Sequence, residues 1–300
     1  MQVKANGISI EVEDTGAGGS QPGAPAILLI MGLGMQLVAW PTAFVQSLVD
    51  QGFRVVRFDN RDVGLSQHLD HLPVPNVVWE SLKFRVGLPV KAPYTMQEMA
   101  ADAVGVLDAL GIAQAHVVGV GIGGMIGQRM ALAAPQRVLS LCSVMSSSGA
   151  RYLPGPKAHA LRALLRCPKG QGEQAVVDHY TRLFKIIGSP GFPFDEDLLR
   201  ERVLASTRRS FHPAGTLRQM TAIAADSRRA DELGQIKVPT LVMHGKDDPL
   251  VPFACGADTA RRIGGAQLVG LHGMGHDLAP GVVARLLEAL VPHLRSARPS

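Results

Sequence analysis

Short aliphatic runs separated by longer amphipathic segments are the feature of this sequence that most limits its fold. The runs are rich in Val, Ile and Leu and are bounded by turn residues: Ala26–Met31, Phe53–Phe58, His116–Val120, Val138–Met145, Thr240–His244 and Ala266–Leu271. Apolar runs of this length without alternation are typical of strands buried on both faces. Such strands, separated by helix-length segments, predict an α/β fold with a mostly parallel sheet flanked by helices.

The pattern of the middle of the chain differs from that of its two ends. The gaps between the first strands have helical patterns at Gln36–Asp50, Met96–Leu110 and Gly124–Ala134. Between residues 151 and 230 there is no convincing strand, and the helical patterns are Lys157–Arg166, Glu173–Ile187, Asp195–Ser210 and Ala214–Ala225. A last helix is predicted near Gly281–Leu294. We therefore predict an α/β core of residues 1–149 and 236–300, interrupted by a helical cap at residues 150–235.

Composition excludes several classes of protein. With 46% hydrophobic and 18% charged residues in a chain of 300, disordered and fibrous proteins are excluded. The longest apolar runs are too short to span a bilayer, and the N-terminus has no apolar segment typical of a secretory signal. Three scattered cysteines argue against a disulfide framework. These features predict a cytoplasmic protein without a membrane partner.

The net charge of +5 does not form a nucleic-acid-binding surface. Residues 151–235 contain 14 Lys and Arg and 9 Asp and Glu, and 14 − 9 = +5, so the rest of the chain is neutral. Basic and acidic residues are interleaved there, whereas nucleic-acid binding favours a denser basic stripe. We expect no nucleic-acid partner and interpret the segment as a solvated helical surface.

A glycine-rich turn after the third aliphatic run is the first feature that bears on chemistry. The segment GVGIGG, residues 119–124, follows a predicted strand and opens directly into a predicted helix. That order is the context of a nucleophile elbow, G-x-S-x-G, although here the central position is Gly121. A dinucleotide-binding fingerprint is excluded, because the glycines do not follow the first strand and no acidic residue ends the next strand. We expect no cofactor.

Two segments downstream of this turn contain an acid and then a histidine, each just after a predicted strand. VPTLVMHGKDDPLVP places Asp248 just after a strand, and LVGLHGMGHDLAP places His276 in the loop after the next strand. With LLIMGLGMQLVAWP, VVRFDNRDVGLS and HVVGVGIGGMIGQ, these segments resemble the α/β-hydrolase-fold carboxylesterases. Within that family the resemblance is to bacterial esterases related to anthracycline methyl esterases. It implies the α/β-hydrolase fold.

The resemblance also implies the roles of individual residues. His276 would be the general base and Asp248 would orient it, in preference to Asp247, because the family acid usually stands directly before the position of Pro249. The neighbouring His272 is four residues from His276, but a loop that contains glycine is not a helix face, so we expect no metal site.

The remaining site assignments concern binding. The oxyanion hole would be formed by the backbone N–H groups of Leu33 and Ile122. Met31, at a position where many relatives have histidine, and Trp40 are assigned to the pocket. We expect some aromatic residues of the cap to line the cavity, the candidates being Tyr152, Tyr180, Phe184, Phe192 and Phe194.

Gly121 has no side chain, so the covalent mechanism lacks its nucleophile. In serine hydrolases that loss costs on the order of a millionfold in kcat. The sequence therefore predicts a carboxylic ester hydrolase of the serine-triad type, acting on a small to medium apolar ester through an acyl-enzyme, in a nearly inactive form. The alternative is a natural non-hydrolytic member of the family. It would be either a small-molecule binder or a cofactor-free His–Asp dyad enzyme, such as a lyase or a dioxygenase-like enzyme. The identity of the ester and the oligomeric state stay open.

Overall fold

A computed structural model describes residues 1–18, 23–166, 168, 170 and 172–297. The strands are Gln2–Ala5 (β1), Ile8–Asp14 (β2), Ala26–Ile30 (β3), Arg54–Phe58 (β4), Ala115–Val120 (β5), Val138–Val144 (β6), Thr240–Gly245 (β7) and Gln267–Leu271 (β8). The helices are Thr42–Asp50 (α1), Val77–Arg85 (α2), Met96–Ala109 (α3), Ile122–Ala133 (α4), Ala158–Leu164 (α5), Glu173–Ile187 (α6), Glu196–Arg209 (α7), Pro213–Ala225 (α8), Arg229–Glu232 (α9), Phe253–Arg262 (α10) and Pro280–Ser296 (α11).

The strands form one sheet in the order β1-β2-β4-β3-β5-β6-β7-β8. The pairs from β4 to β8 are parallel, whereas β1 with β2 and β2 with β4 are antiparallel. The predicted α/β class with a mostly parallel sheet is therefore confirmed. Helices α5–α8 all lie between β6 and β7, where the sequence shows no strand pattern. The division into core and cap at residues 150 and 235 stays a prediction.

Both faces of the central strands are buried, as the unbroken aliphatic runs require, whereas the edge strand β8 is exposed at Gln267 and Leu268. On β3, Leu28 and Ile30 pack with residues of α3 and α4, whereas Ile27 and Leu29 pack with residues of α1 and α11. Successive side chains of a strand point to opposite faces, so a strand between two helical layers needs apolar residues at every position. The runs are continuous for this reason.

Three helical features differ from the sequence predictions. The helix expected at Gln36–Asp50 is a 3₁₀ turn at Leu37–Ala39 followed by α1, because Pro41 lies between them and has no backbone N–H to donate. Helix α2 was missed because its apolar residues Val78 and Trp79 face solvent and give no single apolar stripe. Helix α10 was missed as well, since its sequence FACGADTARR is short and mostly small or polar.

The functional candidates lie at one edge of this sheet. Gly121 follows β5, Asp248 follows β7, and His276 follows β8. These are the carboxyl ends of three parallel strands, the place where open α/β sheets bind ligands.

Two other observations concern the cysteines and the predicted absence of a membrane span. Cys142 and Cys255 are free thiols, and Cys167 lies outside the described residues. Of the described helices, none has the length and apolar character needed to cross a membrane.

Candidate active site

Gly121 is the turning point between β5 and α4. Its backbone has φ 57° and ψ −117°, a positive φ that glycine adopts without strain. The turn is held on both sides: the Gly121 N–H donates to the Val144 carbonyl at 2.9 Å, and its carbonyl accepts from the Ser146 hydroxyl at 2.7 Å. A Cβ added to the neighbouring Gly123 would lie 2.0 Å from the Ile30 carbonyl oxygen. The close approach of the two backbones therefore explains why residue 123 is also a glycine.

Asp248 and His276 form a direct pair. Asp248 Oδ2 lies 2.7 Å from Nδ1 of His276. The other carboxylate oxygen of Asp248 accepts from the backbone N–H groups of Leu250 and Val251, both at 2.8 Å. A carboxylate can only accept a hydrogen bond, so the proton of the imidazole ring is on Nδ1. Nε2 is then the basic nitrogen. The Asp248 side chain is fully buried, and that of His276 is 15% exposed.

The two adjacent acids have different roles. The carboxylate of Asp247 accepts from the backbone N–H of Gly273 at 2.8 Å and so braces the loop that carries His276. Behind Asp248, the buried His244 pairs its Nε2 with the Val251 carbonyl at 2.7 Å. Burial lowers the pKa of His244 below its ordinary value, which favours the neutral form of this neighbour. The geometry thus brings Asp248, rather than Asp247, to His276.

His276 faces the position where Gly121 lacks a side chain. A Cβ built on Gly121 would lie 3.8 Å from His276 Nε2 and 3.9 Å from the Cα of Gly32, so it meets ordinary contacts and no clash. A hydroxyl one C–O bond beyond that Cβ would come within hydrogen-bonding distance of Nε2. Gly121, Asp248 and His276 are therefore brought together in the order that the sequence predicts.

The two predicted oxyanion-hole amides come from the chain segments that contain Gly121 and Gly32. Ile122 provides the first N–H of α4, and Leu33 follows Gly32 in the loop after β3. Among the hydrogen bonds between described residues, none uses either amide as a donor. The first N–H groups of a helix have no partner within the helix and attract negative charge. The next residue of the loop, Gly34, donates its N–H to the Gln219 side chain at 3.0 Å, which fixes the loop against α8.

Met31 and Trp40 lie in the buried core, 3% and 2% exposed. The Trp40 ring stacks on Phe44 with the ring centroids 5.1 Å apart, and the Met31 carbonyl accepts from the Asn60 amide at 3.2 Å. Neither residue lines the cleft described next. Their assignment to a substrate pocket therefore stays a prediction.

A cleft of about 190 Å³ lies next to the loops that carry Leu33 and His276, and neither Asp248 nor His276 is among the residues that line it. Gly34 and Asp277 both line it, and each is the direct neighbour of a candidate site residue. Its apolar walls come mainly from α6 and α7 and include Tyr180, Phe184, Phe194, Leu198, Leu199 and Val203. Of the cap aromatics predicted as candidates, Tyr180, Phe184 and Phe194 lie on this wall, whereas Phe192 packs against the core and Tyr152 is largely exposed.

Sequence reasoning missed a group of titratable residues, of which His212 lines the cleft. Ligand atoms of His68, Asp70 and His212 lie within 4.8 Å of one another. The two imidazoles are stacked nearly parallel with centroids 3.9 Å apart, so their in-plane lone pairs run side by side and do not converge. Arg218 lies 3.8 Å from Asp70, and its positive charge would repel a bound cation. We assign no metal site to this group, and no sequence pattern predicts it, because it joins residues from distant segments.

Comparisons with known proteins agree with this architecture. The model of a family described as alpha/beta hydrolase fold matches residues 25–279. Rhodomycin D methylesterase of Streptomyces peucetius is 30% identical over 92% of this chain and 93% of that protein. A putative carbamate hydrolase of Variovorax paradoxus is 29% identical over 84% of this chain and 83% of that protein.

Solved structures share the fold at lower sequence identity. A meta-cleavage product hydrolase from Pseudomonas fluorescens superposes with a TM-score of 0.75 at 19% identity, over 99% of this chain and 98% of that one. The enol-lactonase from Burkholderia xenovorans gives a TM-score of 0.69 at 22% identity, over 98% of this chain and 100% of that one. Likeness at this level of identity concerns the fold alone.

Proposed function

The chain belongs to the α/β-hydrolase family, and from that premise we propose that it is the scaffold of a carboxylic ester hydrolase in which glycine occupies the nucleophile position. The observation that carries the proposal is the 3.8 Å between His276 Nε2 and the Cβ position of Gly121. Asp248 occupies the other imidazole nitrogen at 2.7 Å. The relatives named above as a methylesterase and a carbamate hydrolase support a hydrolase.

The mechanism that this site would support needs a hydroxyl at position 121. In a Gly121→Ser variant, His276 Nε2 would take the hydroxyl proton while the oxygen attacks the ester carbonyl carbon. Asp248 would stabilise the imidazolium, and the Leu33 and Ile122 amides would donate to the oxyanion. His276 would then give the proton to the departing alkoxide, leaving an acyl-enzyme. Water, activated by the same histidine, would release the acid and restore the serine.

The chain with Gly121 cannot form that acyl-enzyme, because glycine offers no nucleophile. Its ester turnover is therefore expected to be lower than that of the serine variant by about a millionfold. The aromatic and aliphatic walls of the cleft support an apolar acyl or alkyl group of small to medium size. The substrate that we propose is an ester of that kind.

The deciding experiment compares hydrolysis of p-nitrophenyl acetate and butyrate by four proteins. These are the natural chain, Gly121→Ser, Gly121→Ala, and Gly121→Ser combined with His276→Ala. We expect turnover with Gly121→Ser alone, because the alanine variant adds a Cβ without a hydroxyl and the double variant lacks the base. A folded Gly121→Ser protein that hydrolyses neither ester contradicts the proposal.

A second candidate needs no serine. The carboxylate–imidazole pair is complete in the natural chain, and a base in this position could remove a proton from a carbon acid bound in the cleft. Turnover of a carbon acid by the natural chain, abolished by His276→Ala, would favour this dyad enzyme over the esterase scaffold. Tight ligand binding without turnover, and without an effect of His276→Ala, would favour a small-molecule binder.

A further inference from the structure

The loop that carries His276 is joined to residues 187–191, which are the last residue of α6 and the start of the segment between α6 and α7. The backbone N–H of His276 itself donates to the Ile187 carbonyl at 2.7 Å. Three residues earlier, the Gly273 carbonyl accepts from the Gly191 N–H at 2.9 Å. These two bonds hold the histidine loop against the helical region that walls the cleft.

Ser189 lies at the centre of this junction and contacts both chain neighbours of His276. Its hydroxyl oxygen accepts from the Gly275 N–H at 2.9 Å and donates to the carboxylate of Asp277. The serine is 8% exposed. Burial raises the pKa of the Asp277 carboxyl above its ordinary value, and hydrogen bonds from Ser189 and from the Ala279 backbone oppose that rise. One hydroxyl therefore fixes the residue before and the residue after the imidazole.

The two segments touch backbone to backbone. A Cβ added to Gly191 would lie 2.6 Å from the Cα of Gly273, and one added to Gly275 would lie 2.1 Å from the Gly188 carbonyl oxygen. No side chain fits between the segments at these points. A displacement of residues 187–191 is therefore passed directly to residues 273–277.

We propose that Ser189 is a positioning residue for His276, which couples the segment between α6 and α7 to the orientation of the imidazole. Asp248 holds the ring through Nδ1 alone, so the tilt of the ring toward position 121 depends on its backbone. Ser189 restrains that backbone through Gly275 and Asp277. A misplacement of about 1 Å at a reacting group costs about a hundredfold in rate.

The kinetic consequence rests on the proposed function and is tested in the Gly121→Ser background. Adding Ser189→Ala should lower kcat by about 10- to 100-fold. KM should change less than about twofold, since Ser189 does not line the cleft. Ser189→Thr, which keeps the hydroxyl, should restore most of kcat. The matched control is Ser227→Ala. The Ser227 hydroxyl accepts from Arg151 at 3.1 Å and touches neither segment. Equal kcat values for the Ser189→Ala and Ser227→Ala proteins would overturn the proposal.

A second measurement is independent of any activity. In the natural chain, amide hydrogen exchange of Gly275 and His276 should accelerate on Ser189→Ala by at least tenfold and stay unchanged on Ser227→Ala. If Ser189→Ala does not fold, Asp277→Asn is the second variant, because it weakens one of the two side-chain links while keeping the Gly275 bond. Unchanged exchange in folded variants rejects the positioning role. Absence of turnover in Gly121→Ser with accelerated exchange rejects the proposed function alone.

Discussion

At the scale of single residues, Gly121 combines a loss of chemistry with a backbone well suited to glycine. Its φ of 57° lies where residues with a Cβ are strained, while its surroundings leave room for a small side chain. Serine at such a position stores strain in exchange for a nucleophile. Glycine adopts the same turn without strain, so the site geometry persists although the reaction is lost.

Gly121→Ser should therefore destabilise the protein by about 1–3 kcal/mol, because the introduced Cβ is held at positive φ. Urea denaturation measures this change in the free energy of unfolding. Gly121→Ala should lose a similar amount. Gly155→Ala is the control without strain, since its φ is not positive and no described atom lies within 4 Å of its Cβ position. A Gly121→Ser protein as stable as the natural chain contradicts the expectation.

The two adjacent acids can be separated in the Gly121→Ser background. Asp248→Asn should lower kcat by about four orders of magnitude, because an amide favours the wrong imidazole tautomer. Asp247→Asn should lower it less than about tenfold, since Asp247 contacts the Gly273 amide and not His276. Steady-state kinetics on p-nitrophenyl butyrate distinguishes them. A larger loss for Asp247→Asn would reverse the assignment of the acid.

At the scale of elements, a buried charge network joins α4 to the end of α8. Asp226 accepts from Arg129 Nε at 3.0 Å and also pairs with Arg229, whose side chain is fully buried. Arg229 in turn donates to the Gln128 side chain at 2.8 Å. Because α4 begins directly after Gly121, this network fixes the helix that follows the turn to the helical region over the cleft.

Asp226→Asn should destabilise the protein by about 3–5 kcal/mol, because it leaves two buried guanidinium groups without their shared counter-charge. Glu232→Gln is the matched control: it also pairs with Arg129, at 2.5 Å, but its side chain is 41% exposed. An exposed partner of this kind contributes about 0–1 kcal/mol. Chemical denaturation measures both variants, and equal losses would show that burial does not set the difference.

At the scale of the whole molecule, folding buries several histidines in neutral form. Burial lowers the pKa of His116 to about 4. It also lowers the pKa values of His244 and His293 below their ordinary values. The unfolded chain takes up these protons at a higher pH than the folded one does, so acidification favours unfolding.

The contribution of these histidines to the free energy of unfolding should therefore be highest above about pH 6.5 and fall as the pH is lowered toward 4. Each such histidine contributes a slope of up to about 1.4 kcal/mol per pH unit. Urea denaturation between pH 5 and 7 measures it. In His116→Gln, which removes one titrating group that contacts the Ser140 hydroxyl at 2.9 Å, the slope should be shallower. An unchanged slope would mean that His116 is not neutral in the folded protein.

The sequence predicts the parallel strands and the turn at Gly121, and its resemblance to a known family implies the pairing of Asp248 with His276. Burial of a strand on both faces and the special backbone of a glycine turn are local properties, so they leave a local pattern. The local sequence pattern is weaker for β1 and β2, the antiparallel strands at one edge of the sheet. It is also weaker for helix α2, because its apolar residues face solvent.

Which other side chains meet depends on the tertiary structure. The wall of the cleft, the stacked His68 and His212, and the contact of Ser189 with the loop of His276 all join segments far apart in the chain. Such contacts depend on how the helices between β6 and β7 lie over the sheet. No periodicity within one segment encodes that arrangement, because it arises from packing between segments.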